Sequence, residues 1–291
     1  MIIAALNSGF ANQMFQFACA RAVSLKKGYE FGMEGTWLDR DPLRSLELPR
    51  HFGLERFLLS EKALGTQIRA RIGFFGRRLN RYRYPDAFGL QLYQEPHFTF
   101  DKNVFNVSDD TLLRGYWQTE KYFNEFADVI RQDFQFASTP SGRNADLIAE
   151  LAETHSIALH VRRGDYVADP LVAKNHGVCP PVYYERALDL LNRKIDAYRL
   201  FVFSDDPDWV RANMQFDSSA TYVSWNRGAD SFEDMRLMSH CSHNVIANSS
   251  FSWWAAWLNA NPQKLVVAPQ RWFGSLAHDT SDLVPPQWIR L

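Results

Sequence analysis

The second half of the chain alternates short apolar segments with longer amphipathic ones, and this alternation limits the possible folds more than any other feature. Segments rich in Val, Ile and Phe predict strands, and the stretches between them have helical periodicity. The predicted strands are residues 156–161, 199–203, 221–225, 244–248 and 264–269. The predicted helices are residues 182–195, 206–214, 232–241 and 251–259. One helix between successive strands indicates βαβ units, and therefore a parallel sheet covered by helices on both faces.

The first half begins in the same way but then loses its clear periodicity. The predicted elements are strands at residues 2–6, 29–33 and 112–117 and helices at residues 12–27 and 120–134. Between Pro42 and Pro96, basic, aromatic and proline residues follow no clear period. The polar segment STPSGRN at residues 138–144 is typical of a linker. We therefore expect an α/β protein with two domains, residues 1–140 and 150–291, that face each other across a cleft.

Composition and charge exclude several classes of protein. The 291 residues are enough for two compact domains, and a content of 46% apolar and 22% charged residues indicates a folded chain. A net charge of -1 argues against general nucleic-acid binding, because that class carries a basic excess. The three cysteines, Cys19, Cys179 and Cys241, form no C-x-x-C pair, which argues against a disulfide framework or a zinc site.

The sequence also predicts where the protein resides. The first residues, MIIAALNSG, lack the basic region and the long apolar region of a signal peptide. No run reaches the roughly 18 apolar residues of a transmembrane helix. We therefore expect a cytoplasmic protein, either free or peripheral at the inner face of the membrane.

Two arginines follow the predicted strand at residues 156–161, in the sequence LHVRRGDY. In extended geometry His160 and Arg162 share one face. Guanidinium groups at the end of a buried strand need anionic partners, and ligands bind beyond the carboxyl ends of parallel strands. One interpretation pairs one arginine with Asp165 and leaves the other in solvent. The alternative assigns Arg162 to a phosphate group of a ligand and Arg163 to a partner within the protein.

A second polar segment, IANSSFSWW, ends the predicted strand at residues 244–248 and begins the next helix. The N–H groups of a first helical turn have no partners within the helix, and the helix dipole favours an anion there. Ser249, Ser250 and Ser252 add hydroxyl donors. The same residues also suit an ordinary N-cap. Combined with an arginine at a neighbouring strand end, the segment predicts a pyrophosphate site, while Trp253, Trp254 and Trp257 are predicted to pack in the core.

Other nucleotide-site and metal-site motifs are missing or weak. The chain contains neither G-x-G-x-x-G nor G-x-x-x-x-G-K-[ST], so the sequence does not support a dinucleotide oxidoreductase or a P-loop NTPase. The pattern D-x-D occurs at Asp39/Asp41 and Asp206/Asp208. Pairs this short arise readily by chance, and Pro207 predicts that Asp206 caps a helix. We therefore expect no metal and no other cofactor.

At this point several motifs resemble a known family. The sequence HVRRGDY at residues 160–166 resembles the first shared motif of the inverting fucosyltransferases, in the form typical of glycosyltransferase family 11. FSDD (203–206) and NSSFSWW (248–254) resemble the next two motifs, and GFANQMFQFA (9–18) and GYWQTEKYF (115–123) resemble blocks in the N-terminal half. The chain departs from the family at Ser8 and Ala11, where glycine is usual, and at Phe10, where leucine is usual. The loss of two glycines narrows the backbone conformations available to that loop.

The resemblance implies a GT-B fold with two Rossmann-like domains, the first binding the acceptor and the second binding GDP-fucose. The implied acceptor is the 2-hydroxyl of a terminal galactose in an oligosaccharide or a lipid-linked glycan. Arg162 would bind the donor β-phosphate, the backbone of residues 249–251 the pyrophosphate, and Asp234 the guanine. Asn12 and Gln13 would close over the nucleotide or the acceptor. The full predicted donor site comprises His160, Arg162, Asp234, Asn248, Ser249, Ser250, Phe251, Asn12 and Gln13.

The implied reaction is a single displacement with inversion at the anomeric carbon of fucose. Arg162 and the helix N–H groups would stabilise the leaving pyrophosphate in place of a metal ion. Asp165, Asp169 and His176 are candidates for the general base, and Asp165 is predicted as catalytic together with Arg162. Two alternatives remain: transfer of another sugar or to another hydroxyl, and a sugar-binding protein without catalytic activity.

Overall fold

A computed structural model describes residues 1–38, 41–42, 44–59, 90–217, 219–274 and 278–291; the side chains of residues 165 and 170–172 are not described. The chain divides into two compact units. The first comprises Met1–Ser138 and Ser281–Leu283, and the second comprises Thr139–Thr280 and Val284–Leu291. Each unit is built around its own parallel sheet.

The first unit contains a four-stranded sheet with the order β2-β1-β4-β3, in which all neighbours are parallel. Its strands are β1 (Ile2–Ala5), β2 (Phe31–Glu34), β3 (Gln91–Gln94) and β4 (Thr111–Arg114). Its helices are α1 (Phe10–Lys27), α2 (Leu48–Phe52) and α3 (Ala127–Asp133). Short 3-10 turns lie at Glu55–Phe57, Lys102–Asn106, Glu120–Tyr122 and Asn124–Phe126.

Helix α1 is the main cover of this sheet. One broad face is buried, including Met14 and Phe17, which are both 0% exposed. The helix ends at Gly28, whose φ of 68° places it in the left-handed region that glycine adopts at little cost. Lys26 and Lys27 occupy the last turn, where positive charge is favourable next to the helix dipole. The predicted helix is therefore confirmed, and it begins two residues earlier than expected.

The second unit contains a six-stranded parallel sheet with the order β10-β9-β8-β5-β6-β7. Its strands are β5 (Ser156–Val161), β6 (Arg199–Ser204), β7 (Thr221–Val223), β8 (His243–Val245), β9 (Val266–Ala268) and β10 (Ile289–Arg290). Its helices are α4 (Gly142–Glu153), α5 (Gly164–Ala168), α6 (Pro170–His176), α7 (Pro181–Asn192), α8 (Pro207–Asn213), α9 (Phe232–His240) and α10 (Ser250–Leu258). A 3-10 turn lies at Gly228–Asp230. The predicted parallel sheet is thus confirmed.

Burial explains why the second half could be interpreted from its pattern. All six residues of β5 are buried, as expected for a central strand covered on both faces. On α10, Trp253, Trp254 and Trp257 are at most 2% exposed, which confirms that they pack in the core.

The structure differs from the sequence predictions where chain geometry depends on distant contacts. The helix predicted at residues 120–134 is broken at Phe123, which has a φ of -134° and packs its buried ring 6.3 Å from that of Phe15. The predicted linker at residues 138–144 runs into α4, which begins at Gly142. Helices α2, α4, α5 and α6 and strands β3 and β10 were not predicted. Residues 60–89, which make up much of the stretch without clear periodicity, lie outside the described residues.

Within the described part of the chain, no helix has both the length and the apolar composition needed to span a membrane.

Candidate functional site

The carboxyl ends of β6, β5 and β8 lie side by side in the second unit, because these strands are neighbours in the sheet. Val161 is paired with Ser204, and Leu159 is paired with Val245. The three polar segments that follow these strands therefore meet at one edge. This edge is where parallel α/β sheets bind their ligands.

Asp205 organises the loop after β5. One carboxylate oxygen, Oδ2, lies 2.9 Å from Nη1 of Arg162, and the other accepts a hydrogen bond of 2.8 Å from the Arg163 N–H. A Cβ atom on Gly164 would lie 2.6 Å from Oδ2, so only glycine allows the carboxylate to approach this closely. Asp205 was not among the predicted site residues. Its position at the end of the strand next to β5 was the available signal.

Arg163 has partners within the protein, as predicted. Its Nε lies 3.2 Å from Oδ2 of Asp206, and its guanidinium carbon lies 3.5 Å from the centre of the Trp209 ring. Oδ1 of Asp206 also accepts a bond from the Trp209 N–H and caps α8, which confirms the predicted helix cap. Both arginines pair with aspartates of the neighbouring strand end, which supports the alternative that gives Arg163 a partner within the protein. The side chain of Asp165 lies outside the described residues.

Arg162 is held in place but remains accessible. Its side chain is 31% exposed, and its guanidinium carbon lies 5.3 Å from the centre of the Tyr166 ring. The Tyr166 hydroxyl donates a bond of 3.2 Å to the backbone carbonyl of Asn248. The loops after β5 and β8 are therefore tied together beside the arginine.

The N-terminus of α10 lies on the β8 side of this edge. Ser249 is the N-cap residue with φ -137° and ψ 126°, and its side chain forms no capping hydrogen bond. Its carbonyl accepts the Trp253 N–H at 3.0 Å, so the helix is regular from its first turn. The first-turn N–H groups, from Ser250 onward, thus lack the usual side-chain acceptor. This favours the predicted anion site over the ordinary N-cap.

His160 lies beside the same helix end. It is 5% exposed, and its ring centre lies 5.9 Å from that of Phe251. Nδ1 has no hydrogen-bond partner among the described residues. Burial lowers the pKa of His160 to about 4, with the nearby Arg162 charge adding to the effect and Asp205 opposing it. The imidazole is therefore neutral at physiological pH.

The Asn248 side chain serves the protein itself. It is 2% exposed, and its Nδ2 lies between 3.0 and 3.2 Å from the carbonyl oxygens of His176, Gly177 and Trp272. A buried amide with three backbone acceptors fixes the surrounding loops. Its Oδ1 accepts a hydrogen bond of 3.5 Å from Sγ of Cys179, so in this structure the Asn248 side chain positions the segment that begins α10.

Asp234, the predicted guanine-binding residue, lies in the first turn of α9. Its Oδ1 accepts a bond of 2.8 Å from Nδ2 of Asn226. Oδ1 of Asn144 in turn accepts bonds from Asn226 and from the Trp225 indole N–H. Burial raises the pKa of Asp234 to about 7, the Asn226 bond opposes this, and the charge of Glu233 adds to it. Asn144 and Asn226 were missed from the sequence, because they come from two segments far apart in the chain.

Gln13 and Asn12 differ in what they expose. Gln13 is 0% exposed, and its amide bonds to the carbonyls of Ser8 and Ser45 and to the N–H of Glu47, at 2.9 to 3.1 Å. In this structure Gln13 joins two loops and presents no atom to a ligand. Asn12 is partly exposed, and its Oδ1 accepts a bond of 2.7 Å from Gln118.

The family departures in this loop have different consequences. Ser8 has a φ of 63°, in the left-handed region where glycine is favoured, so serine is strained there. Ala11 lies inside α1, where alanine is a better residue than glycine. Only the departure at Ser8 therefore acts against the backbone conformation.

For a metal ion, the described residues contain no group of three or more His, Cys, Asp or Glu side chains that converge. Of the two D-x-D pairs, Asp206 is used by Arg163 and by the cap of α8. Asp39 of the other pair lies outside the described residues.

Comparisons with known proteins agree with the motifs. The family model described as Glycosyl transferase family 11 matches residues 82–291. The O-antigen biosynthesis glycosyltransferase WbnK of Escherichia coli is 33% identical, over 98% of this chain and 99% of its own. The alpha-1,2-colitosyltransferase of Escherichia coli is 30% identical, over 100% of this chain and 99% of its own.

A solved structure supports the fold. The NodZ alpha-1,6-fucosyltransferase co-crystallised with GDP matches with a TM-score of 0.50 at 16% identity, over 87% of this chain and 90% of its own. The predicted GT-B fold and the predicted family are both confirmed. The chain belongs to glycosyl transferase family 11 and is a glycosyltransferase.

Proposed function

We propose that the protein is an inverting fucosyltransferase that moves L-fucose from GDP-fucose to the 2-hydroxyl of a terminal galactose in an oligosaccharide or a lipid-linked glycan. The family membership supports glycosyl transfer. The 1,2 linkage is supported by the activity for which the colitosyltransferase relative is named, and a role in O-antigen biosynthesis by the name of the WbnK relative.

One observation carries the donor assignment: Arg162 is held by Asp205 at a strand end whose neighbour leads into the uncapped N-terminus of α10. A guanidinium group and a row of free backbone N–H groups are the two donor types that bind phosphate oxygens best. Their occurrence at neighbouring strand ends suits two linked phosphates. The backbone of Ser249, Ser250 and Phe251 would bind one phosphate, and Arg162 would bind the other.

The same groups supply the chemistry of the leaving group. As the acceptor hydroxyl attacks the anomeric carbon, the bond between that carbon and the β-phosphate oxygen breaks, and negative charge grows on the pyrophosphate. Fixed donors that face this charge lower the barrier without rearranging during the reaction. Arg162 and the α10 N–H groups would do so, and the reaction would then need no metal ion.

Asp234 would select the guanine base. The ring N–H and the exocyclic amine of guanine are adjacent donors, and an ionised carboxylate accepts both. The bond from Asn226 fixes the orientation of the carboxylate before the nucleotide arrives. An adenine base, which presents a different set of donors and acceptors, would not supply the two adjacent donors that the buried carboxylate can accept.

Asp165, Asp169 and His176 are the candidates for the general base. His176 stacks against Tyr166, with ring centres 4.7 Å apart, and lies 5.4 Å from the ring of Phe273. A base has to reach the acceptor hydroxyl only as the new bond forms. Asn substitutions of the two aspartates and His176→Ala, each followed by a pH–rate profile, would rank the three.

A second candidate donor carries colitose, because one relative with full coverage bears that activity. Colitose lacks the 3-hydroxyl of fucose. A site that hydrogen-bonds a substrate hydroxyl rejects the analogue without it by ~10⁴-fold. Comparing kcat/KM for the GDP derivatives of the two sugars therefore separates the candidates, and a ratio near one would show that the 3-hydroxyl is not bound.

The decisive experiment is release of GDP from GDP-fucose in the presence of EDTA, with and without lactose, followed by NMR of the product. We expect release that depends on lactose and fucose linked to the galactose 2-hydroxyl. Tight binding of GDP-fucose without turnover on any acceptor would favour a sugar-binding protein without catalytic activity. No binding of GDP-fucose would contradict the proposal.

Arg162→Ala should reduce kcat by ~10²–10³, the usual loss when a donor to the transition-state charge is removed. Arg193→Ala is the matched control, because Arg193 is an exposed arginine at the end of α7 in the same unit. Thermal unfolding would verify that both variants fold. Turnover of a folded Arg162→Ala protein close to that of the unmodified protein would show that Arg162 has no such role.

A further inference from the structure

Two aromatic side chains of the first unit are largely exposed. Trp37 is 50% exposed and Tyr116 is 45% exposed, and they are the two aromatic rings among the exposed large apolar side chains of the described residues. Among the described residues, neither side chain forms a hydrogen bond, a contact with another aromatic ring or a contact with a cation. Exposed apolar groups that cluster at one place mark binding sites more often than ordinary surface.

The two rings flank the same sheet edge. Trp37 follows the end of β2 by three residues, and Tyr116 follows the end of β4 by two. Strand β1 lies between these strands in the sheet. Neighbouring strands are about 4.8 Å apart, so the ends of β2 and β4 are roughly 10 Å apart. Both rings therefore belong to the carboxyl edge of a parallel sheet, the edge at which such sheets bind ligands.

The backbone beside Tyr116 is strained and tightly held. Trp117 has a φ of 57°, which is rare for a bulky residue. The carboxylate of Glu95 accepts the N–H groups of Tyr116 and Trp117 at 2.6 and 3.0 Å. The Trp117 ring is 1% exposed, so the chain buries this aromatic ring and exposes the ring of Tyr116, the residue before it. Such strain costs of order 1–3 kcal/mol and persists at sites where it has a function.

The turn that carries Trp37 is also fixed. Oε2 of Glu34 accepts bonds from the Thr36 N–H at 3.0 Å and from the Thr36 hydroxyl at 2.6 Å. The Leu38 N–H donates to the Gly35 carbonyl at 2.8 Å. An exposed indole on a defined turn loses little conformational entropy when a ligand covers it.

Polar side chains lie on the loop after β1, the strand between β2 and β4, and in the first turn of α1. The Ser8 hydroxyl donates to Oδ1 of Asn7 at 2.9 Å, and the partly exposed Asn12 accepts a bond from Gln118. Aromatic faces suit the C–H surfaces of a pyranose ring, and amides and hydroxyls suit its hydroxyl groups. The two carboxylates at this edge, Glu34 and Glu95, already accept bonds from neighbouring backbone N–H groups, so the remaining groups suit a neutral ligand.

We propose that Trp37 and Tyr116 form the acceptor platform, a surface defined by these two rings, and that it binds a neutral oligosaccharide of at least two pyranose rings. This inference rests on the proposed function, because a glycosyltransferase must bind a hydroxyl-bearing sugar. The strand ends that lead to the two rings are roughly 10 Å apart, a span that suits two adjacent sugar rings better than one. Each aromatic residue therefore contacts a different ring of the acceptor.

The test is direct binding of lactose and of methyl β-galactoside, measured by saturation-transfer NMR on the full chain without any donor. Trp37→Ala and Tyr116→Ala should each weaken lactose binding about tenfold, which corresponds to ~1.4 kcal/mol per stacked ring. Methyl β-galactoside should be weakened by only one of the two substitutions. Tyr116→Phe should keep the affinity of the unmodified protein, because the ring and not the hydroxyl makes the contact.

The matched control is Tyr29→Ala, which removes a partly exposed ring at the opposite, amino-terminal edge of the same sheet. The dissociation constant for GDP-fucose should be unchanged in all four variants. Lactose affinities within twofold of the unmodified protein in both platform variants would overturn the inference. So would a lack of lactose binding by the unmodified protein. If the unmodified protein did not bind GDP-fucose, the proposed function would be contradicted instead. Failure of the inference and failure of the proposed function are therefore distinguishable.

Discussion

At the scale of single residues, one carboxylate that binds more than one group organises the carboxyl edge of the sheet in the second unit. Asp205 holds both the Arg162 side chain and the Arg163 backbone, and Gly164 makes room for it. An ionised carboxylate can accept about four bonds, so one residue can fix a whole loop. The arginine is therefore in position before a nucleotide binds, which reduces the entropy lost on binding.

The raised pKa of Asp234 predicts how donor binding depends on pH. Burial raises this pKa to about 7, and guanine binding requires the ionised form. The fraction ionised increases through pH 7, so the dissociation constant for GDP should be about tenfold higher at pH 6 than at pH 8. Titration calorimetry at both pH values measures this. In Asp234→Asn the affinity should be lower throughout and should lose this pH dependence.

The raised pKa of Asp234 also affects stability, and in the opposite direction: a rise in pH strengthens GDP binding but lowers the free energy of unfolding. Because the pKa of Asp234 is raised in the folded state, the folded chain retains this proton at pH values where the unfolded chain has lost it. The contribution of this group to the free energy of unfolding therefore decreases as pH rises from about 4 to about 7. Urea unfolding of Asp234→Asn and the unmodified protein should diverge over this range, in favour of the variant at high pH. Parallel curves would show that the carboxyl is ionised well below pH 7.

At the scale of elements, Gln16 on α1 links two strand ends of the first unit. Its Oε1 accepts the Asn7 N–H at 2.9 Å, and its Nε2 donates to the Gly115 carbonyl at 3.1 Å. Asn7 follows β1 and Gly115 follows β4, so one buried amide sets the spacing of the two loops. The acceptor platform depends on this spacing, because Tyr116 follows Gly115 directly.

Gln16→Leu should lower the free energy of unfolding by about 2 kcal/mol, because it leaves a donor and an acceptor without partners. It should also raise KM for lactose with a smaller effect on kcat, since the platform shifts while Arg162 and the N-terminus of α10 in the second unit are unchanged. Urea unfolding and steady-state kinetics measure the two effects. Gln135→Leu, an exposed glutamine in the same unit, is the control. Equal effects of the two substitutions would contradict the role of Gln16.

At the scale of the whole molecule, GDP should stabilise the folded chain. A ligand that binds only the folded state at 100 times its dissociation constant adds about 2.7 kcal/mol to the free energy of unfolding. We expect this stabilisation with and without EDTA, and we expect Arg162→Ala to lose most of it. Trp37→Ala should retain it, because its ring lies in the unit that does not carry the donor motifs. Thermal unfolding with and without GDP tests this, and stabilisation that disappears with EDTA would indicate a metal ion.

The sequence by itself determined the elements that repeat in a regular pattern. Strands β5 and β6 are buried along nearly their whole length, so their apolar runs could be recognised without any knowledge of their neighbours. The motif residues after these strands could be found in the same way, because the residue at which a strand ends can be identified from the sequence alone. The family followed from those motifs, and the fold followed from the family and the alternation.

Only the tertiary structure decided which side chains meet. The pairing of Arg162 with Asp205 and the contact of Asn144 with Asn226 join residues far apart in the chain, and local periodicity carries no information about such pairs. The same holds for Gln13, whose burial depends on Ser45 and Glu47 in a segment without pattern. The sequence does not distinguish Trp37 and Tyr116 from other aromatic residues, because only the strand order shows that they lie at the same edge of the sheet. Sequence patterns report the environment of each element, whereas contacts between elements depend on the order and register of the strands.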